Sequence, residues 1–280
     1  NLILDKRNEL GLGLKSKVLK FIFSLPVISY FYNKQVDLTK GYIDMFLDQC
    51  ENYYVNDPRI KELIEKYEIE NSTEFSSVRN FTFNEKLYSC KYLDLLDILD
   101  RVHQQIDMKK VNTYFEIGGG FGANIHLILQ NFKNIKKIIY LDVSPNLFIA
   151  TEYLRKFYGD SVKDYIQFRE KKIEFENNEN LEVICIPPWK IEDLNVKIDH
   201  FHNTSSFQEM SEEVIINYYK FIKLISTNKT TYSLGFYTTD NNKVVNKNNI
   251  LSIFGGNFKE IELMSFADSL KRKFYLNCKN

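Results

Sequence analysis

The sequence is poor in cysteine, has a single tryptophan and carries no excess charge of either sign. Its four cysteines, Cys50, Cys90, Cys185 and Cys278, are far apart and form no C-x-x-C pair. This spacing argues against a disulfide framework or a zinc site and predicts reduced thiols in a cytoplasmic protein. Basic and acidic residues number 37 each, so the net charge is zero. We therefore expect no general nucleic-acid partner, which would normally require a basic excess.

A long apolar run is also missing. The most apolar stretch, Val18 to Ile28, is interrupted by Lys20 and Pro26 and is shorter than the roughly 20 apolar residues of a transmembrane helix. Lys15 and Lys17 flank it, so a peripheral anchor at a membrane surface is one interpretation. A helix packed on the protein is the other. We expect no transmembrane segment, and peripheral membrane contact stays open.

What the sequence has is an ordinary globular composition, 44% hydrophobic and 26% charged. Residues 1–82 show helical spacing and loops without strand alternation, and we predict an N-terminal helical extension that forms part of a lid. Residues 83–280 then form the main domain, which begins with a long helix from Phe83 to Gln105. From Val111 onward strands and helices alternate, which indicates a mostly parallel sheet covered on both faces.

The predicted fold is α/β and Rossmann-like, with a mostly parallel seven-stranded sheet that ends in an antiparallel pair. Its parallel strands are 111–117, 137–141, 181–186, 196–202 and 231–238. The closing pair is 259–266 and 272–277, and such a pair is typical of class I methyltransferases and unlike a plain dinucleotide domain.

The chain is organised around a glycine-rich turn, YFEIGGGFG, from Tyr114 to Gly122. A buried strand, Val111 to Ile117, precedes the turn, and an apolar helix, Ala123 to Phe132, follows it. Glycines let a backbone approach a ligand closely, and the first turn of a helix offers N–H groups that lack intrahelical partners. Strand, turn and helix together predict the first unit of a nucleotide-binding domain.

Two cofactor classes fit this turn by spacing alone. Gly118, Gly120 and Ala123 match the dinucleotide pattern G-x-G-x-x-G/A. Glu116, followed by glycine at every second position to Gly122, matches the acid-x-G-x-G-x-G pattern of S-adenosylmethionine (SAM) methyltransferases. A carboxylate about 5 Å from a pyrophosphate would repel it by roughly 3 kcal/mol at an effective dielectric near 20. SAM brings a sulfonium and an ammonium instead, so Glu116 favours SAM.

The second strand ends at Asp142, some twenty residues beyond the turn. An acid at this position accepts hydrogen bonds from ribose hydroxyls in both cofactor classes. The alternative is that Asp142 only stabilises the dipole of the next helix, for which Ser144 is the predicted cap and Pro145 the first residue. The third strand leads to Pro188 and Trp189, where the edge of an adenine pocket is expected and simple packing is the alternative.

The segment from Asn203 to Met210, NTSSFQEM, follows the fourth strand. Ligands of open α/β sheets bind at the carboxyl ends of strands, so this segment should face the transferred methyl group. Methyl transfer to a hydroxyl needs a base, and His202 is the first candidate, with an ordinary pKa near 6.5. Its alternative is a buried, hydrogen-bonded imidazole. Glu209 is the second candidate, and its alternative is a capping box with Ser206.

The same strand gives little sign of a metal site. Asp199 lies inside the strand and no second aspartate follows closely. Hard cations require a cluster of oxygen ligands. We therefore expect a metal-independent reaction.

These motifs together resemble a family, the sugar O-methyltransferases of bacterial glycan clusters. The resemblance covers roughly residues 80 to 225, and it lies in EIGGGFG at 116–122, LDVSPNL at 141–147, Pro188-Trp189 and NTSSFQEM at 203–210. It implies a class I SAM-dependent fold and a sugar hydroxyl as acceptor, in a capsular or surface glycan. It carries no information on residues 1–75.

We therefore expect a SAM-dependent O-methyltransferase that acts on a small-molecule or glycan sugar. His202 or Glu209 would be the base. The predicted cofactor-binding residues are Glu116, Gly118, Gly119, Gly120, Phe121, Gly122, Asp142, Val143, Ser144, Pro188, Trp189 and Asn203. The alternatives are an NAD-dependent sugar dehydrogenase or epimerase and a catalytically inactive SAM-binding scaffold. The oligomeric state is not encoded in any pattern that we recognise.

Overall fold

The computed structural model describes residues 57–68, 80–83, 85–237, 247–263 and 272–277. The chain divides into two compact units, residues 1–52 and 53–280, and all described residues belong to the second unit. The predicted helical extension, residues 1–82, and the apolar run from Val18 to Ile28 fall mostly or wholly outside the described residues. The extension, its lid role and the boundary at 82/83 stay predictions.

The first described helix, α1 (Pro58–Lys66), begins as its sequence predicts. Proline occupies the first helical position, and the N-cap Asp57 accepts a hydrogen bond from the backbone N–H of Arg59 at 2.8 Å. The guanidinium of Arg59 then reaches Asp97, 2.8 Å away, and Asp100, 3.0 Å away. Both acids lie on helix α2 (Cys90–Gln105), so this cluster of charges joins the two helices.

The prediction of one long helix from Phe83 to Gln105 is wrong in its first part. An antiparallel hairpin, β1 (Asn80–Phe83) and β2 (Lys86–Ser89), precedes α2. Glu85, between the two strands, has a positive φ of 64°, as tight hairpin turns require. Polar and apolar residues alternate only from Asn80 to Asn84, and the helical periodicity farther along the segment obscured this short signal.

The main sheet contains eight described strands in the order β5-β6-β4-β3-β7-β8-β10-β9. They are β3 (Thr113–Ile117), β4 (Lys137–Leu141), β5 (Val162–Asp164), β6 (Glu182–Ile186), β7 (Ile198–Thr204), β8 (Ser226–Tyr237), β9 (Lys259–Glu262) and β10 (Arg272–Asn277). The first six strands in this order, including β3 and β4, are parallel to one another. Strand β10 runs antiparallel to both β8 and β9. The predicted α/β, Rossmann-like architecture, a mostly parallel sheet that ends in antiparallel strands, is confirmed, and the three-residue edge strand β5 is an addition to the seven strands expected.

Helices cover both faces of the sheet, which is why every residue of β3, β4 and β6 is buried. They are α3 (Ala123–Asn131), α4 (Asn146–Tyr158), α5 (Glu212–Ile225) and α6 (Lys247–Phe254). Side chains of α5 and α6, such as Ile222 and Phe254, pack into one core with Phe115 and Phe201 of the sheet. Helix α6 was not anticipated, because the sequence from 241 to 249 reads as a polar break. None of the described helices is both long and apolar enough to span a membrane.

The strand order reverses at β3, whose neighbours are β4 on one side and β7 on the other. A crevice forms at the carboxyl ends of the strands at such a reversal, and it is the usual ligand position in open α/β sheets. The glycine turn leaves β3 at this point.

Candidate functional site

The glycine turn has the predicted strand–turn–helix setting. It leaves β3 after Ile117 and enters α3 at Ala123. The N–H of Gly118 donates to the carbonyl of Leu141, 2.8 Å away, which fixes the turn to the end of β4. A Cβ on Gly118 would lie only 2.2 Å from the hydroxyl of Ser206, so only glycine permits this close approach. The turn is therefore packed directly against the segment that follows β7.

A cavity of about 290 Å³ lies beside this turn, at the carboxyl ends of β3 and β4. Its size is near the lower limit of roughly 300 Å³ for small-molecule sites. The lining residues are Ile117, Gly118, Leu141, Asp142, Val143, Asn146, Ser206, Glu209, Met210 and Tyr218. Tertiary structure thus brings four predicted site residues together: Gly118, Asp142, Val143 and Glu209. The lining combines two carboxylates with several apolar side chains and includes neither lysine nor arginine.

Asp142 holds the turn and faces the cavity at once. The residue is 5% exposed, and its Oδ1 accepts from the N–H of Val143 at 2.7 Å. Its Oδ2 accepts from the N–H of Gly120 at 2.9 Å and lies 2.9 Å from the hydroxyl of Tyr140. A carboxylate has about four lone-pair positions. These three contacts leave Oδ1 able to accept a further hydrogen bond, such as one from a ribose hydroxyl.

Glu116 has a different position from the one that its predicted role requires. Its side chain is 2% exposed, accepts from Nδ2 of Asn124 at 2.9 Å, and is not part of the cavity lining. The carboxylate lies beneath Gly119, where an added Cβ would be 2.7 Å away. Successive residues of a strand face opposite sides, so Ile117 reaches the cavity and Glu116 faces α3. Glu116 does not line this cavity, and its direct contact with a cationic guest stays a prediction.

His202 is also buried outside the cavity, with both ring nitrogens engaged. Its Nδ1 lies 2.6 Å from the hydroxyl of Ser233, and its Nε2 lies 2.6 Å from the hydroxyl of Thr204. Burial lowers the pKa of His202 from 6.5 to about 3. His200, on the same face of β7, likewise contacts Thr231 and Ser233, and burial followed by the charge of His202 lowers its pKa. A neutral, enclosed imidazole of this kind is disfavoured as a proton acceptor, and the alternative of a buried, hydrogen-bonded histidine describes His202.

Glu209 lines the cavity. The capping box with Ser206, which was the alternative role for Glu209, does not form. Ser206–Glu209 is a short 3₁₀ helix preceded by Ser205, which has a φ of 67°, and no side chain caps it. The Ser206 hydroxyl instead lies 3.3 Å from the carbonyl of Ile117. Glu209 is exposed on this helix and lines the cavity. Its carboxylate therefore has access to a ligand and to solvent.

Asn203 supports the cavity wall from beneath. The side chain is buried, and Nδ2 donates to the carbonyl of Ile117 at 2.9 Å and to the hydroxyl of Ser206 at 2.6 Å. Its Oδ1 accepts from the N–H of Phe207 at 3.3 Å. Asn203 is absent from the lining. Its predicted binding role is thus indirect here, through the segment that it holds in place.

The remaining predicted residues do not line the cavity. Trp189 is 67% exposed in a 3₁₀ helix, Pro188–Asp193, and its ring meets Tyr165 edge-on at 6.4 Å. Phe121 contacts Tyr153 edge-on at 5.5 Å between ring centroids. Helix α4 begins at Asn146 with Pro145 as its N-cap, so the prediction of Ser144 as the cap is wrong by one residue. The adenine role of Pro188 and Trp189 stays a prediction.

Sequence reasoning missed several lining residues. Ser206 and Met210 lie in the NTSSFQEM motif, so their position could have been inferred from it. Asn146 follows the Ser144-Pro145 pair and is likewise close in sequence to Asp142. Tyr218 lies on α5, eight residues beyond the NTSSFQEM motif, and the packing of that helix brings it to the cavity.

The described residues contain no group of three or more His, Cys, Asp or Glu side chains placed to hold a metal. Asp199 accepts from the backbone N–H groups of Asn112 and Thr113, both at 2.9 Å. These residues lie at the beginning of β3, at the opposite end of the strand from the cavity. Metal independence stays a prediction.

Comparison with known proteins gives structural similarity only. Neither a protein-family model nor a curated protein sequence matches the chain. PigF with SAH is 11% identical, over 66% of this chain and 61% of that one, with a TM-score of 0.44. The pyocyanin biosynthetic protein PhzM is 11% identical over 68% and 58%, with a TM-score of 0.45. Magnesium protoporphyrin IX methyltransferase (ChlM) from Synechocystis PCC 6803, with bound SAM, is 9% identical over 68% and 77%, with a TM-score of 0.43. The chain thus spans less than two thirds of PigF and of PhzM.

Proposed function

We propose that the protein is a SAM-dependent O-methyltransferase that methylates a sugar hydroxyl in bacterial surface glycan biosynthesis. One observation carries the proposal: a cavity beside the glycine turn is lined by the carboxylates of Asp142 and Glu209 and by no basic side chain. A unit charge about 5 Å from a carboxylate interacts with it by roughly 3 kcal/mol at an effective dielectric near 20. Such a cavity attracts the sulfonium of SAM and repels the pyrophosphate of a dinucleotide.

The residues present fit this cofactor. Asp142 has a free acceptor position for a ribose hydroxyl, and Val143 and Leu141 supply apolar surface for a base. A Cβ on Gly120 would meet no atom within 4 Å, so the turn leaves open space for the amino-acid end. SAM, when bound, supplies an electrophilic methyl group. The turn at 118–122, Asp142 and Val143 are the residues that would hold it.

The chain itself must hold the acceptor and remove its proton. Orientation of the acceptor oxygen lowers the barrier by restricting its motion. Glu209 is the proposed proton acceptor, because it is the predicted base that lines the cavity. His202 is not carried into this proposal, since burial and its two hydrogen bonds hold it neutral and enclosed.

The sugar acceptor rests on the resemblance carried by residues 203–210, where the segment lies over the end of β3. The cytoplasm is the proposed location, because the sequence predicts reduced thiols, and the described Cys185 is a free, buried cysteine. A small-molecule or glycan sugar is the proposed partner.

Calorimetric titration of the protein with SAM and with NAD⁺ in parallel tests the cofactor. We expect binding of SAM and none of NAD⁺, and the opposite result would favour the dehydrogenase alternative. Mass spectrometry of a bacterial glycan extract, incubated with the protein and methyl-labelled SAM, tests the acceptor. Label on a sugar hydroxyl is expected. Binding of SAM without transfer to any sugar would favour the inactive scaffold.

A further inference from the structure

Tyr218 lines the cavity although no sequence motif contains it. It lies on α5, is 7% exposed, and its ring stacks on Phe207 at 6.4 Å between centroids. Its hydroxyl has no hydrogen-bond partner among the described residues and is open to the cavity. A hydroxyl that is open to a cavity and has no protein partner is available to a ligand, whose hydrogen bond would replace one made to water.

Two neighbouring tyrosines have hydroxyl groups that are hydrogen-bonded within the protein. Tyr219, the next residue on α5, donates from its hydroxyl to the carbonyl of Phe254 at 3.0 Å. Tyr232 on β8 donates to the hydroxyl of Ser226 at 2.9 Å. Tyr232 belongs to the same hydrophobic core as Tyr218, and Tyr219 packs against that core. The missing partner of Tyr218 is therefore specific to its position at the cavity.

The position of Tyr218 in the cavity also indicates which part of the ligand it would contact. It shares the cavity with Leu141, Asp142 and Val143 at the end of β4, where the ribose and base are expected. Gly119 and Gly120, at the expected amino-acid end, do not line this cavity. Burial, and after it the charge of Asp142, raises the pKa of Tyr218 above 10. The hydroxyl accordingly keeps its proton at neutral pH and can donate it.

We propose that Tyr218 is a binding residue for the nucleoside half of the cofactor, to which its hydroxyl donates a hydrogen bond. This assignment rests on the proposed function, because it takes the ligand to be SAM or its product S-adenosylhomocysteine. It adds a contact from α5 to those made by the glycine turn and Asp142. A nucleoside bound in this way would be held from both sides of the cavity.

The test compares Tyr218→Phe with Tyr219→Phe and wild type, by calorimetric titration with three probes. These are S-adenosylhomocysteine, 5′-methylthioadenosine, which keeps the nucleoside and lacks the amino acid, and methionine. Tyr218→Phe should weaken binding of the first two probes by the same factor, roughly three- to tenfold for one hydrogen bond. Its melting temperature without ligand should not fall, since no hydrogen bond within the protein is lost.

Tyr219→Phe is the matched control, because it removes a hydroxyl one residue away that does have a protein partner. It should lower the melting temperature by about 2–4 °C and leave both nucleoside affinities unchanged. Loss of S-adenosylhomocysteine affinity in Tyr218→Phe without loss for 5′-methylthioadenosine would overturn the nucleoside assignment. So would wild-type affinity for both probes. A wild-type protein that binds none of the three would instead overturn the proposed function, and the Tyr218 assignment with it.

Discussion

The side-chain amide of Asn203 donates a hydrogen bond to the backbone carbonyl of Ile117, 2.9 Å away. Asn203 belongs to β7 and Ile117 to β3, and the two residues are paired neighbours in the parallel sheet. The same amide reaches the hydroxyl of Ser206, so one side chain joins the start of the glycine turn to the segment that covers the cavity. One buried side chain therefore links two walls of the candidate site.

Asn203→Ala should loosen this wall. The carbonyl of Ile117 and the hydroxyl of Ser206 each then lose one donor, and we expect a loss of about 1–3 kcal/mol in the free energy of unfolding, with weaker binding of SAM. Urea denaturation and calorimetry measure the two effects. Asn134→Ala is the matched control, since its amide donates to the carbonyls of Met108 and Val111, away from the cavity. Equal loss of SAM affinity in the two variants would contradict a local role for Asn203.

Gly119→Ala should disrupt the turn more than Gly120→Ala. A Cβ at 119 would lie 2.7 Å from the buried carboxylate of Glu116 and 2.8 Å from the ring of Tyr140. A Cβ at 120 would meet no atom within 4 Å and would carry only the strain of a φ of 66°, roughly 1–2 kcal/mol. We expect Gly119→Ala to have the lower free energy of unfolding and the weaker SAM binding. A milder effect at 119 than at 120 would show that Glu116 can move aside.

Asp142→Asn should weaken SAM binding, although the shape of the side chain hardly changes. The amide cannot accept at both positions, and hydrogen bonds to a charged group contribute about 1.5–3 kcal/mol, or roughly 10- to 150-fold in affinity. Asp142 also accepts from the N–H of Gly120, so part of the loss will come from the turn. Calorimetry with SAM measures the total. Wild-type affinity in this variant would remove Asp142 from the ribose assignment.

Glu209→Gln should lower turnover and leave SAM affinity nearly unchanged. The amide keeps the shape of the side chain and cannot accept a proton, and loss of a general base typically costs 10²- to 10⁴-fold. Transfer of labelled methyl to the glycan extract gives the rate, and calorimetry gives the affinity. His202→Gln provides the comparison, because the buried His202 should affect stability before it affects proton transfer. A normal rate for Glu209→Gln with a strongly reduced rate for a folded His202→Gln would reverse the two assignments.

The buried histidines should make the protein less stable in mild acid. The pKa of His202 is about 3 in the folded protein and near 6.5 when unfolded, so below pH 6.5 the unfolded chain binds more protons. The free energy of unfolding must then fall as the pH decreases towards 3, by at most roughly 1.4 kcal/mol per pH unit for each such histidine. The pKa of His200 is also lowered in the folded protein, so this residue contributes in the same direction.

Urea denaturation between pH 7.5 and pH 5 measures this dependence. His202→Gln should reduce the slope, because the amide does not titrate. An unchanged slope would mean that His202 takes up a proton in the folded state as readily as in the unfolded chain.

Residues close together in the chain were enough to predict several elements of the fold. The glycine turn, the apolar strands and the cap of α1 all follow from residues close together in the chain, and so does the position of Asp142 at a strand end. The hairpin before α2 was missed because its polar–apolar alternation is short, from Asn80 to Asn84, and is followed by helical spacing. Local periodicity is a strong signal only where one pattern dominates a segment.

Tertiary structure alone decided which of these residues meet at the site. Glu116 and His202 occupy strand positions that face away from the cavity, and a shift of one residue along a strand reverses the face. Burial then fixed the protonation of His202, since the cost of removing a charge from water depends on everything packed around it. Tyr218 came to the cavity from a helix with no motif, because the packing of α5 on the sheet, and not its sequence, sets where that hydroxyl lies.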